Sequence, residues 1–223
     1  MHNQSSREIN LGLIALALSG LLFALGIILR GPVELADPGS CCRAALSAGY
    51  VSGWTIILVG ALLNLYGLFG LYRYLTSQAM NRFALPALVL AVAGVALVIP
   101  LATFSAVHGP VIANLYAQGT QDVIAVVEAS FRSPLGLALL GVSSAGGIIG
   151  PLLFAVAIWR DGRLPRWTGV TFALSVALMA VPLTFPTELL GAVLLLVSAG
   201  FMWRSHDQVR FAPSGAPRPA SGR

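Results

Sequence analysis

Three side chains that the expected topology puts on the outer face have the chemistry to hold a soft metal ion or to pass electrons: Cys41, Cys42 and His108. Thiolate and imidazole are the ligand set of zinc and copper. The cysteines stand side by side in "DPGSCCRA" and are the only two in the chain. Asp122, Glu128 and Glu188 are the carboxylates that would join them on the same side of the molecule. The spacing, however, matches neither C-x-x-C nor any Cys…His ligand pattern. A disulfide between neighbours closes a strained ring, and with no third cysteine any other disulfide must link two copies of the chain. The plainest reading gives two small apolar thiols near a helix and a histidine at a helix end, just before the breaker pair Gly109-Pro110. No metal or other cofactor is expected on that reading.

No catalytic motif offers an alternative. The chain has no H-E-x-x-H, G-x-S-x-G, phosphate-binding loop or G-x-G-x-x-G. The remaining polar candidates lie within or beside apolar runs. Asn64, in "ALLNLYGLFG", needs a partner if buried, and an amide there bonds a neighbouring helix or a ligand. Ser143 and Ser144 flank Gly146 and Gly150, a G-x-x-x-G pair in "GVSSAGGIIGP". Such a stretch lets two helix backbones approach, within one chain or between copies. Arg160, Arg163 and Arg166, in "WRDGRLPRWTG", are either topogenic charge or contacts to anionic lipid headgroups.

The elements that carry these groups follow from composition. Of the 223 residues, 57% are hydrophobic and 9% charged, where a soluble domain carries about 25% charged residues. That much apolar surface reads as a chain solvated by lipid. About 20 apolar helical residues, at 1.5 Å each, cross the roughly 30 Å of a bilayer core. Six stretches qualify: 9–29, 50–75, 83–107, 134–159, 168–185 and 187–203. Lipid offers backbone groups no partners, so each must be helical. The expected fold is all-α, a polytopic six-span bundle. The first run is too long for a signal peptide's core and no small-residue cleavage site follows it, so it reads as an uncleaved span.

Helix ends are legible too. Gly162 suits the left-handed residue after a helix, Pro165 the start of the next, and Pro134 the first turn of the fourth span. Trp159, Trp167 and Trp203 mark span ends as an aromatic belt would. Between spans three and four, "TQDVIAVVEASF" puts Val123, Ile124, Val127 and Phe131 on one face. It reads as a short amphipathic helix on the outer surface. Residues 205–223, rich in Pro, Ser, Gly and Arg, read as a disordered tail.

All 13 basic residues are arginine, and the formal net charge is +5. They sit at the ends of apolar runs and form no stripe, which argues against nucleic acid as a partner. With the N-terminus inside, ten arginines fall on the inner side and only Arg30, Arg43 and Arg132 on the outer. The positive-inside rule then puts both termini in the cytoplasm. No Asp, Glu, Lys, Arg or His sits mid-span, which disfavours a proton-coupled transporter.

The stretch "PLLFAVAIWRDGRLPRWTGV", with "LLNLYGLFGLYRYL" before it, resembles a loose group of bacterial multi-pass membrane proteins of unknown function. The likeness rests on W-R-x-G-x-L-P-R-W-x-G and the tyrosine-ended second span. It implies a bundle of about six helices in a bacterial inner membrane and supplies no catalytic residue. The expected function is therefore non-enzymatic: a bundle in the lipid bilayer that binds a partner membrane protein, a second copy, or an apolar or lipidic ligand. Two alternatives stand beside it. One is a permease subunit for a neutral or lipidic solute, lined by Asn64 and the serines. The other is a metallo- or redox enzyme built on the external cysteines and His108.

Overall fold

A computed structural model describes residues 2–33, 38–77, 81–120, 122, 125, 129, 132–180 and 184–211. Among them the regular structure is all α-helix: α1 (His2–Arg30), α2 (Pro38–Ala45), α3 (Tyr50–Thr76), α4 (Ala84–Ala96), α5 (Val98–Ala117), α6 (Pro134–Asp161), α7 (Arg166–Ala180) and α8 (Phe185–Phe211). Five helical stretches are long and apolar enough to cross a membrane, α4 and α5 counting as one. The sixth apolar segment, α7, is shorter, at 15 residues.

Several ends are as the residues dictate. Helix α1 stops where Gly31 takes a left-handed φ of 81°, a conformation that costs glycine little. The hydroxyl of Ser133 accepts from the Gly136 N–H at 3.1 Å, with Pro134 in the first turn behind it. At the far end of α6, Gly162 has φ 71°.

The third run departs from expectation. It is broken at Leu97 and continues to Ala117, well past 107. The break is caused by Pro100, which has no N–H for the Ala96 carbonyl and whose ring crowds it. Gly109 and Pro110 do not end the helix, and His108 lies inside α5 rather than at an end. Pro110 deprives only the Ala106 carbonyl of its donor. Gly109 serves a contact instead: a Cβ there would stand 2.6 Å from the Tyr50 ring.

Two further differences concern the ends of the chain's apolar runs. Helix α2 is an additional short helix, packed against α3 and α5. Helix α8 runs to Phe211, so residues 205–211 of the expected tail are helical. No proline or glycine interrupts them, and His206 packs edge-on against Tyr74 at 5.6 Å. Val123, Ile124, Val127 and Phe131 of the expected external helix lie outside the described residues, as do 212–223.

The helices close a ring in the order α1, α3, α4 with α5, α6, α7, α8 and back to α1. Small residues set the closest pairs. Gly12, Ser19 and Gly26 recur every seven residues along α1, and Gly53, Gly60 and Gly67 do so along α3. That repeat keeps one stripe of each helix against the other. A Cβ on Gly67 would stand 2.8 Å from the Leu16 backbone. The α4–α6 pair is just as tight, since a Cβ on Gly94 would meet the Gly147 nitrogen at 2.6 Å. Larger side chains fill the spaces between pairs. Phe154 of α6 and Phe172 of α7, both fully buried, meet edge to face at 6.1 Å.

Candidate functional site

Polar side chains gather at three levels: the middle of the α1–α3 pair and the two ends of the ring. In the middle, Asn64 of α3 donates to the Ser19 hydroxyl of α1 at 3.1 Å. Ser19 in turn donates to its own helix at the Leu16 carbonyl, 2.7 Å away. Asn64 and Ser19 are both buried, so this amide works as a cross-helix tie. Ser143 makes a similar tie, donating from α6 to the Gly94 carbonyl of α4 at 3.3 Å. Ser144 is half-buried beside it. Gly146 and Gly150 pack on Leu90 and Ala91 of α4, so the G-x-x-x-G seam is used within the chain.

At one end, Arg30 closes α1 and Glu188 opens α8. Arg30 Nη2 donates to Glu188 Oε2, and both residues are buried, at 5% and 7% exposure. The guanidinium also lies over the Trp54 ring, 4.9 Å from its centroid. Each charge sits at the helix end that favours it, the cation at a C-terminus and the anion at an N-terminus. The pair binds the first helix to the last. A salt bridge at this depth gains less than its Coulomb energy suggests, because both ions lose water. Its clearer effect is to fix which ends meet.

This end also holds the sulfur and imidazole candidates, and among the described residues the structure does not bring them together. Cys42 is buried at 2% exposure, in an apolar cluster with Ala45, Tyr50 and Ala113. His108 is exposed and meets the Phe104 ring at a tilt of 44°, centroids 4.7 Å apart. Asp122 is exposed, and Glu188 is engaged by Arg30. The Cys41 side chain and Glu128 lie outside the described residues. Among the described residues no three His, Cys, Asp or Glu side chains form a metal-holding group.

At the opposite end, Arg163 is the organising residue. Its Nε donates to both Asp161 carboxylate oxygens, at 3.0 and 2.8 Å. Nη1 donates to the Ser77 hydroxyl at 3.0 Å and Nη2 to the Tyr74 carbonyl at 2.7 Å. The latter carbonyl belongs to the last turn of α3, where it also accepts from the Ser77 N–H at 3.3 Å and the Ser77 hydroxyl at 2.8 Å. The left-handed Gly162 turns the chain so that Arg163 can reach back. Partial burial works against the guanidinium's charge, yet the hydrogen bond and charge of Asp161 outweigh it and hold its pKa above the usual value.

Arg160 and Arg166 behave differently. Both are exposed. Arg160 lies over the Phe83 ring at 4.7 Å, and Arg82 over the same ring at 5.1 Å. Arg166 lies over Trp159 at 5.7 Å. Asn81 fixes this corner, donating to the Ala157 carbonyl at 3.1 Å while its side-chain oxygen accepts from the Phe83 N–H. On the rim, Arg73 pairs with Glu8, both about half exposed, a setting in which an ion pair contributes little.

Three of these features escape a reading of the sequence: the Arg30–Glu188 pair, the capping by Arg163 and the place of Arg82. The first had a signal, since the expected topology puts the end of α1 and the start of α8 on one side. The others depend on loop conformation. No family model, no curated protein and no solved structure matches this chain.

Proposed function

We propose that this chain is a multi-pass integral membrane protein with six spans, whose role is binding rather than catalysis. The observation that carries this reading is the distribution of side-chain size and polarity. Bulky apolar side chains such as Leu18, Val59, Phe69, Val89, Leu152 and Val197 are exposed on the outside of the ring. Glycine, alanine and hydrogen-bonded polar groups such as Asn64 and Ser19 occupy the closest helix contacts, and buried leucine and phenylalanine fill the spaces between them. Water would penalise that outer surface, whereas lipid solvates it and leaves close packing and internal hydrogen bonds to hold the helices together. Helix α7 counts as a span in this reading because α6 ends beside Arg163 and α8 begins beside Arg30, at opposite ends of the ring. The arginine distribution supports an inner-membrane orientation with both termini in the cytoplasm.

The binding role draws on the first turns of α6. Residues 137–142 are all exposed, which is more than one full turn, so no face of the helix is buried there against the described residues. Ala138, Gly141 and Ala145 form an exposed small-residue stripe, and a Cβ on Gly141 would meet nothing within 4 Å. A partner transmembrane helix fits such a stripe. A solute path past Asn64 and Ser143 is less favoured, because both side chains are engaged by protein partners.

Membrane fractionation tests the first part. The protein should stay with membranes through alkaline carbonate washing, and a reporter fused at the C-terminus should be active only in the cytoplasm. Release by carbonate would overturn the membrane reading, and external reporter activity the orientation. A photo-crosslinking residue at Gly141 should yield a discrete protein adduct. Adducts with lipid alone would overturn the partner.

A further inference from the structure

Arg82 and Arg160 come from different elements, the connection before α4 and the last turn of α6, yet both guanidiniums lie over the single ring of Phe83. Both are exposed, and among the described residues neither meets a carboxylate. Two like charges gathered at one place repel unless an anion bridges them. At the start of α4 the Phe83 N–H donates to Asn81 Oδ1 and the Ala84 N–H to the Asn81 carbonyl, and Pro86 has none, so the positive charge at this corner is that of the two arginines. Arg163, which the sequence grouped with Arg160, is satisfied by Asp161, Ser77 and Tyr74 and has little left to offer.

Apolar surface continues from each arginine toward the middle of the ring. Leu85 and Val89 follow Arg82 along α4, and Val156 and Ile149 precede Arg160 along α6; all four are exposed. Trp159, also exposed, neighbours Arg160 at the depth where an indole ring meets lipid headgroups. A charged head beside two apolar ridges is the shape of a phospholipid.

We propose that Arg82 and Arg160 clamp the phosphate of an anionic phospholipid, whose acyl chains lie along α4 and α6. This rests on the chain being embedded in a bilayer. Arginine suits the task because its planar fork donates two hydrogen bonds to one phosphate.

The test uses the full chain in phosphatidylcholine nanodiscs containing a minor fraction of phosphatidylglycerol. Native mass spectrometry of the released protein reads the lipid it retains. Wild type should keep phosphatidylglycerol in preference to phosphatidylcholine. The Arg82→Gln/Arg160→Gln variant should bind it more weakly, by on the order of tenfold or more, with unchanged helical circular dichroism. Arg204→Gln, which alters an exposed arginine on α8 away from the clamp, should keep the preference. Inorganic phosphate at millimolar concentration should not displace the lipid. Equal retention of both lipids, equal loss in Arg204→Gln, or displacement by phosphate alone would overturn the clamp. Failure of wild type to enter nanodiscs at all would instead overturn the membrane reading beneath it.

Discussion

Gly12 of α1 and Gly70 of α3 face each other with no room for a side chain: a Cβ on either would lie 2.5 Å from the Cα of the other. The two helices touch backbone to backbone there, and the contact continues through Gly67 and Gly53. Gly12→Leu should force the pair apart and lower the melting temperature in detergent, with a cost of about 1–3 kcal/mol from overpacking. Gly200→Ala is the control. Its Cβ would meet nothing within 4 Å, and alanine favours a helix over glycine by up to about 1 kcal/mol. A Gly12→Leu protein as stable as wild type would mean that α1 and α3 are not in this register.

The Arg30–Glu188 pair predicts an asymmetry. Glu188→Leu leaves a buried guanidinium that cannot shed its charge, whereas the carboxylate that Arg30→Leu leaves alone can take up a proton. The Glu188 variant should therefore be the less stable of the two single variants, losing about 3–5 kcal/mol. Replacing both residues, as Arg30→Leu/Glu188→Leu, should recover most of the loss. Thermal unfolding of all four proteins closes the cycle, and additive single effects would show that the two side chains do not pair.

Asn64 and Ser19 call for the same kind of cycle with a smaller result. Interhelical hydrogen bonds of this type contribute about 0.5–2 kcal/mol. Asn64→Ala and Ser19→Ala should each destabilise modestly, and the double variant by less than their sum. A double variant at the full sum would assign the amide to some other partner.

Cys42 should resist modification. In a Cys41→Ala background, an impermeant maleimide should leave Cys42 unlabelled in the native protein and label it fully after denaturation. Rapid native labelling would mean that α2 does not seat against α3 and α5 as the structure has it.

These tests separate what the residues disclose from what they conceal. Run length and composition disclose the helices, and Gly31, Ser133-Pro134 and Gly162 disclose several ends, because backbone geometry at such residues is local. The register of α1 on α3 was legible in principle, since the seven-residue spacing of small residues stands in the sequence. It is easily overlooked in a chain so rich in glycine. The passage of α5 through Gly109-Pro110 was not legible. A local rule ends the helix there, and only the Tyr50 ring, distant in sequence, explains why a glycine is needed. Among the candidate sites, Asn64 fell on a buried cross-helix contact and Ser143 on a half-buried one. Arg82 was missed because its importance lies in a ring it shares with Arg160, a relation between a connection and a distant helix end that no spacing encodes.

The bond between Arg30 and Glu188 also has a consequence in time. The two residues are 158 positions apart, and a ribosome adding about 5–20 residues per second separates their synthesis by on the order of ten seconds. Throughout that interval the first helix carries an arginine whose counter-charge does not yet exist, and water must serve in its place. The bundle can close only when its last helix arrives. A chain truncated before Phe185 would hold five-sixths of its ring and still be unfinished, with an unsatisfied cation to mark it for the quality-control proteases of the cell.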